Sequence, residues 1–450
     1  MTSPPSVVST LMTTIENPDS ASVAASSATG ERGRDPQARL RVRLRPLYLA
    51  AMLQGVTLWV PVEKLFMSEI GFDARSVGIM AACYAAVVPF LEIPSGILAD
   101  RWSRRGVLMI AGVALLVSEL VGGLSTNVAT YIGAALLLGV FFAMQSGTVD
   151  SIIYDTVVEE LGTADSFEAT IGRVRMWESA ALVSSALAGA GLAAVTSPRL
   201  TYFLTLPFGL ASLWALRAFR EPRLHQAEDR PTLRSQIALT YRTILGRGGL
   251  LPIITTMVLA AMLLQVLLEF GPLWMVAVAA PALLYGPHWA GLTSAFGLGA
   301  ALAGRMRLAH PANLATVVGL MLAFSLTLTV SRNATVLIVA QVGLAVLIVA
   351  VSTFLTRKLH DCVASTIRAG VASGVGTLTW IAFFPFALGF GAVSNRSGVH
   401  TAGWMIVAVT VVTGAALIKV ALAHRANPVP CPRPHAAKAV PEVTLATAGS

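Results

Sequence analysis

The strongest constraint in this chain is an apolar run that stops in a basic turn, Glu92-Ile-Pro-Ser-Gly-Ile-Leu-Ala-Asp-Arg-Trp-Ser-Arg-Arg105, with a second apolar run starting at Gly106. About 20 apolar residues cross a bilayer as a helix, and two such runs joined by so short a turn must be antiparallel neighbours. Arg101, Arg104 and Arg105 mark the turn as cytoplasmic, because positive loops resist translocation. That assignment orients every other segment. The composition agrees: 55% hydrophobic, 12% charged and a mean hydropathy of +0.72 describe a chain that faces lipid or protein.

The same length rule predicts twelve transmembrane helices in an all-α membrane protein. Six fall at roughly 46–69, 77–99, 106–125, 128–148, 174–196 and 200–219, and six more at roughly 251–279, 283–304, 313–330, 335–356, 370–392 and 402–422. The domain map that follows has a disordered cytoplasmic tail at 1–45, a six-helix bundle at 46–219 and a charged cytoplasmic linker at 220–250. A second bundle at 251–422 and a Pro-rich cytoplasmic tail at 423–450 complete it. The two bundles repeat one spacing, the pseudo-symmetry of a rocking transporter with its site between the halves.

A net charge of +9 would point to nucleic acid in a soluble protein, yet only Lys64, Arg75, Arg199, Arg332 and Arg396 of the 32 basic residues fall on the outer side. The charge is orientation, and no nucleic acid is expected. Cys83, Cys362 and Cys431 sit in an apolar span, a cytoplasmic loop and the tail, so neither a disulfide nor a metal site is expected. The sequence holds no phosphate-binding Gly-rich loop and no nucleophile-base set, which argues against ATP-driven transport, an enzyme or a bound cofactor.

Gly96-x-Leu98-Ala99-Asp100-Arg101-x-x-Arg104-Arg105 resembles the signature loop between the second and third helices of major facilitator superfamily transporters. Trp59 to Val62, Glu92 to Gly96, Tyr154-Asp155 and Gly172-Arg173 resemble patterns of a bacterial, efflux-like branch. The resemblance implies a twelve-helix carrier in the bacterial inner membrane with both termini cytoplasmic. It also implies that Asp100 latches onto the start of the eleventh helix near Gly370, where a carboxylate would meet unpaired amides and the positive end of the dipole. The sequence departs from the drug antiporters of the family. The fourth span (Tyr131 to Thr148) has no arginine, and the fifth has Ala188-Gly189-Ala190-Gly191 without proline.

Ionisable groups inside apolar spans are expensive and mark pathways. The candidates for a substrate or proton pathway are Glu63 and Trp59 in the first span, Glu119 in the third, and Gln265 with Glu269 in the seventh. Glu63 shares a helical face with Gly55 and Trp59, and Glu269 one with Gln265, Met262 and Pro272. Glu63 has a second reading, as a rim group paired with a nearby cation, and Glu119 another, as an interhelical hydrogen-bonding group. Glu92, Gly96, Asp100, Arg101, Arg104, Arg105, Asp155 and Arg173 are candidates for gating, several of them as an ion-pair network at the cytoplasmic ends. The function expected is proton-coupled export of a small organic molecule by a monomeric carrier in contact with membrane lipid. Nutrient uptake is the alternative, and a non-transporting sensor would need a folded domain that the tails do not supply.

Overall fold

The computed structural model describes residues 35–145, 148–222, 250–306, 308, 310–362 and 368–426. The linker and tail assignments at 1–34, 223–249 and 427–450 lie outside the described residues. The helices of the first half are α1 (Pro36–Gln54), α2 (Glu63–Glu69), α3 (Ala74–Arg101), α4 (Arg104–Leu124), α5 (Val128–Gln145), α6 (Thr148–Leu161), α7 (Phe167–Val195) and α8 (Pro198–Ala218). Those of the second are α9 (Leu251–Ala277), α10 (Ala282–Ala303), α11 (Pro311–Val330), α12 (Ala334–Cys362), α13 (Arg368–Ser397) and α14 (Val399–Ala426).

These helices make twelve spans in two six-span bundles, with α1 and α2 sharing the first span and α5 and α6 running along the fourth. Among the described residues, nine helical stretches are apolar and long enough to cross a membrane by composition alone. The first span falls short because it is broken. The stretches α8 and α10 are diluted by Arg, Pro, Tyr, Trp and His. Many large apolar side chains, such as Phe90, Val195, Trp214 and Val330, are exposed on the surface, the reverse of a soluble protein. Buried hydroxyls turn back onto their own helix: Thr156, Thr205, Thr256 and Thr410 each donate to a carbonyl four residues earlier.

Two expectations from the sequence need correction. Helix α1 begins at Pro36, capped by the Asp35 side chain, so residues 36–45 and their arginines are helical and not a tail. The first span is also not one helix over 46–69. It stops at Gln54, passes through a 3-10 turn at Val60–Val62 and restarts as α2 at Glu63. Pro61 removes a backbone donor there. Two glycines make room for the irregular turn: Gly189 of α7 lies directly against the Leu58 carbonyl, and a Cβ on Gly55, at the break itself, would lie 2.8 Å from the carbonyl oxygen of Glu178. The single face shared by Gly55, Trp59 and Glu63 therefore does not exist. Between the fourth and fifth spans the chain continues as the helix α6.

The basic turn sits at one end of the molecule, the basic end; the other is the far end. The bundles meet where α3 packs on α13 and α7 on α10. Both crossings near the far end are glycine contacts. A Cβ on Gly78 would stand 2.6 Å from the Ala387 oxygen and 2.9 Å from the Gly391 Cα, and one on Gly286 would stand 2.9 Å from the Ala186 oxygen. Toward the basic end of the same helices, a Cβ on Gly96, Gly172, Gly297 or Gly376 would meet nothing within 4 Å. The bundles thus touch through backbone at the far end, whereas these four glycines nearer the basic end are exposed with open space before them.

Candidate functional site

The break in the first span delivers Glu63 and Lys64 to the seam between the bundles. Lys64 Nζ donates to Glu63 Oε2 at 2.8 Å and to Glu269 Oε1 of α9 at 2.6 Å, so one buried ammonium joins a carboxylate from each half. Its side chain is 1% exposed. A buried charge is tolerated only when paired and hydrogen-bonded, and here both carboxylates find further donors. Tyr84 of α3 donates its hydroxyl to Glu269 Oε2 at 3.0 Å and accepts from Gln265 Nε2 at 2.8 Å. Tyr131 of α5 donates to Glu63 Oε1 at 2.9 Å, and its hydroxyl lies 2.6 Å from that of Tyr202. Tyr84 also meets Trp380 of α13 edge-on, with centroids 5.8 Å apart. The triad carries two negative charges and one positive.

Beyond the triad, at the far end, lies a cleft of about 300 Å³ lined by Lys64, Phe72, Asp73, Val77, Val276 and Ser394. Asp73 caps α3 in a reciprocal box with Ser76. Donation from the Ser76 hydroxyl and amide holds the Asp73 carboxyl below its usual range.

On the other side of the first span, Glu119 is buried in α4. The Trp59 indole N–H donates to its Oε1 at 3.4 Å, and Trp59 stacks on Tyr202 with centroids 4.9 Å apart. Gln54 and Gln145 bond to each other at 3.2 Å and, with Arg175 and Glu178, line a cavity of about 20 Å³, room for one water. Inside the second bundle, His288 of α10 lies 2.8 Å from Gln341 Oε1, and Gln341 Nε2 donates to the Gly271 carbonyl.

Of the pathway candidates, the structure thus gathers Glu63, Gln265 and Glu269 around Lys64, and sets Trp59 with Glu119 behind them. The gating candidates separate. Arg104 is buried and ion-paired with Asp155, and also donates to the Ser151 carbonyl. Arg105 donates to the Phe219 carbonyl at 3.0 Å, whereas Arg101 is exposed. Arg173 faces the Tyr48 hydroxyl, and Asp150 pairs with Arg175. Glu92 is half-buried in α3, and Gly96 follows it one turn on. The Asp100 side chain and the stretch 363–367 beside Gly370 lie outside the described residues, so the latch expected there has no contacts to report.

Sequence reasoning missed Glu221, which caps α4: its carboxylate accepts from the Arg104 amide at 2.6 Å and from the Ser103 hydroxyl at 2.5 Å. It also missed Tyr131, Tyr202 and His288. The available signal was a phenol or imidazole inside an apolar run, groups that seek a partner when buried.

Two six-span bundles that close on each other through a buried ion triad define a membrane carrier built from two halves. The Major Facilitator Superfamily model matches residues 46–380, and the chain belongs to that family of transporters. It is similar to Multidrug resistance protein 1 of Bacillus subtilis (strain 168), 26% identical over 187 residues, which are 41% of this chain and 45% of the relative. It is similar also to a probable nitrate transporter, NarT, of Staphylococcus aureus (strain Newman), 22% identical over 25% of this chain and 28% of that one. The matches span less than half the length of these relatives. Among solved structures, a bacterial homologue of the lysosomal transporter Spinster, in an inward-facing unoccupied conformation, superposes with a TM-score of 0.68 at 13% identity. That match covers 87% of this chain and 98% of that one. The nucleoside transporter NupG (D323A mutant) gives 0.67 at 14% identity, over 85% and 99%. At such identities these structures share the fold.

Proposed function

We propose that this chain is a proton-coupled exporter of a small organic molecule, working as a monomer by alternating access in a bacterial inner membrane. The observation that carries the reading is the Lys64 to Glu269 bridge, which is the buried ionic contact that must break for the bundles to part at the far end. Basic residues in the turn at Arg101 to Arg105 and in α1 support a cytoplasmic basic end, and in this reading the bundles here are closed outward and parted inward. Asp100 serves the opposite conformer, as a latch on the start of α13. The likeness to the Bacillus subtilis multidrug protein supports export.

The triad suits coupling. Its three charges sum to minus one, so a cationic substrate at Glu269 competes with Lys64 for the same carboxylate and loosens the bridge. The test is gradient-driven uptake into inverted vesicles. Glu269→Gln abolishes accumulation, while passive exchange survives. A Gln variant that still concentrates substrate with an unaltered pH profile would refute the assignment. Loading only into right-side-out vesicles would reverse the direction and favour uptake.

A further inference from the structure

Glu119 is a buried intramembrane acid outside the gate, and its surroundings are unusual. It is 2% exposed, Oε2 has no hydrogen-bond partner, and Oε1 has only the long indole contact of 3.4 Å. From α8 come Tyr202 and Gly209, a Cβ on which would lie 3.5 Å from Oε2, and from the broken first span comes Trp59; Tyr131 of α5 stands behind Tyr202, edge-on to its ring. On its own helix, Ser118 donates to the Ala134 carbonyl. The nearest phenols have committed their protons. Tyr131 donates to Glu63, and the 2.6 Å contact between the two hydroxyls is then filled by the proton of Tyr202. Among the described residues no cation faces Glu119. An ionised carboxylate here would be a buried charge without compensation, which a proton on Oε2 removes.

We propose that Glu119 is a proton-binding positioning residue that sets the far gate through Trp59. The inference rests on the reading of Lys64 and Glu269 as that gate. Trp59 immediately precedes the 3-10 turn Val60–Val62, and Glu63 and Lys64 follow that turn directly. When the proton leaves Oε2, the carboxylate attracts the indole N–H toward the ~2.7–2.9 Å of a charge-assisted bond. The contact starts at 3.4 Å, so Trp59 is drawn toward α4 and carries the short, proline-stiffened turn with it. Lys64 is withdrawn from Glu269. With the proton on, Trp59 relaxes onto Tyr202 and the triad closes.

The test uses the full chain in nanodiscs with Cys83, Cys362 and Cys431 replaced by Ser and spin labels at Thr126 and Thr401, which are exposed at the far ends of the two bundles. Pulsed-dipolar distances then give the far-open to far-closed ratio without any substrate. In the parent that ratio rises with pH, by up to about tenfold per unit, the limit for one linked proton. Glu119→Gln holds the ratio at its low-pH value throughout. Trp59→Phe keeps a ring on Tyr202 but removes the donor, and it too flattens the profile. Glu269→Gln raises the ratio at every pH and keeps its slope. A wild-type slope in either Glu119→Gln or Trp59→Phe overturns the proposal. If instead Glu269→Gln leaves the ratio unchanged while the other two flatten it, the gate reading fails and the Glu119 to Trp59 link stands.

Discussion

Substituting valine for Gly78 wedges the far-end crossing, and the structure sets the size of the effect. The first added carbon alone would sit 2.6 Å from the Ala387 oxygen and 2.9 Å from the Gly391 Cα. Ordinary contact begins near 3.4 Å, so the Cβ needs the helices to separate by several tenths of an ångström, and the two methyl groups need more. Both contacts are backbone atoms of α13, which cannot rotate away. Overpacking of this kind costs about 1–3 kcal/mol. The cost falls on the far-closed conformer, because the two helices part at this end in the other. The gain in helix propensity over glycine is common to both and cancels. The ratio of far-open to far-closed molecules therefore rises about 5- to 150-fold.

Alkylation of a cysteine at Ser394 measures that ratio at constant pH, since Ser394 is buried in this conformer and lines the far cleft. In a background without native cysteines, Gly78→Val speeds labelling by a factor in that range. Gly96→Val, on the same helix where a Cβ meets nothing within 4 Å, does not speed it. Equal rates in the Gly78 variant and its parent, with both folded, would refute the reasoning that this contact holds the far end shut.

The remaining predictions concern topology and stability. Cysteines at Ser394 and Ser103 label from opposite faces of sealed cells, the first from outside; labelling from one face would overturn the orientation. Arg104→Ala leaves Asp155 without its buried partner and lowers stability by about 3 kcal/mol, read as a fall in the thermal midpoint in detergent. Asp73→Ala removes a helix cap worth about 1 kcal/mol. Because folding depresses the Asp73 carboxyl, its contribution is complete above the ordinary aspartate value near ~3.9 and disappears as pH falls through the depressed value. The difference between parent and variant is thus full at neutral pH, and a gap that widened on acidification would contradict the capping geometry.

The architecture was legible because membrane crossing imposes a length, which is a local property of sequence. The site was legible only in part. Glu269 and Gln265 could be placed on one face because α9 is continuous across them. Glu63 could not be placed, because the same periodicity was applied across Gly55 and Pro61, where the helix does not exist. Nor could spacing reveal that Lys64 reaches Glu269, 205 residues on, or that Tyr84 and Tyr131 supply the second donor to each carboxylate. Those contacts depend on how two bundles approach, and that approach is set by glycine crossings whose partners lie in the other half of the chain.

The two ends of the molecule use their charges differently. At the basic end several bonds among the described residues lie within the first half: Arg104 to Asp155, Arg43 to Glu159 and Glu160, and Glu221 to the start of α4. They fasten α1, α4, α6 and the exit of α8 into one body, and none of these bonds has to break for this end to part from the second bundle. At the far end Lys64 spends its charge across the seam. A rocking carrier needs both kinds of bond, one that makes each half rigid and one that is remade in every cycle. Burying the second kind beside Tyr84 and Tyr131 keeps it directional. Leaving the triad one positive charge short keeps it breakable, because Lys64 can give up one carboxylate to a cationic substrate and stay paired with the other.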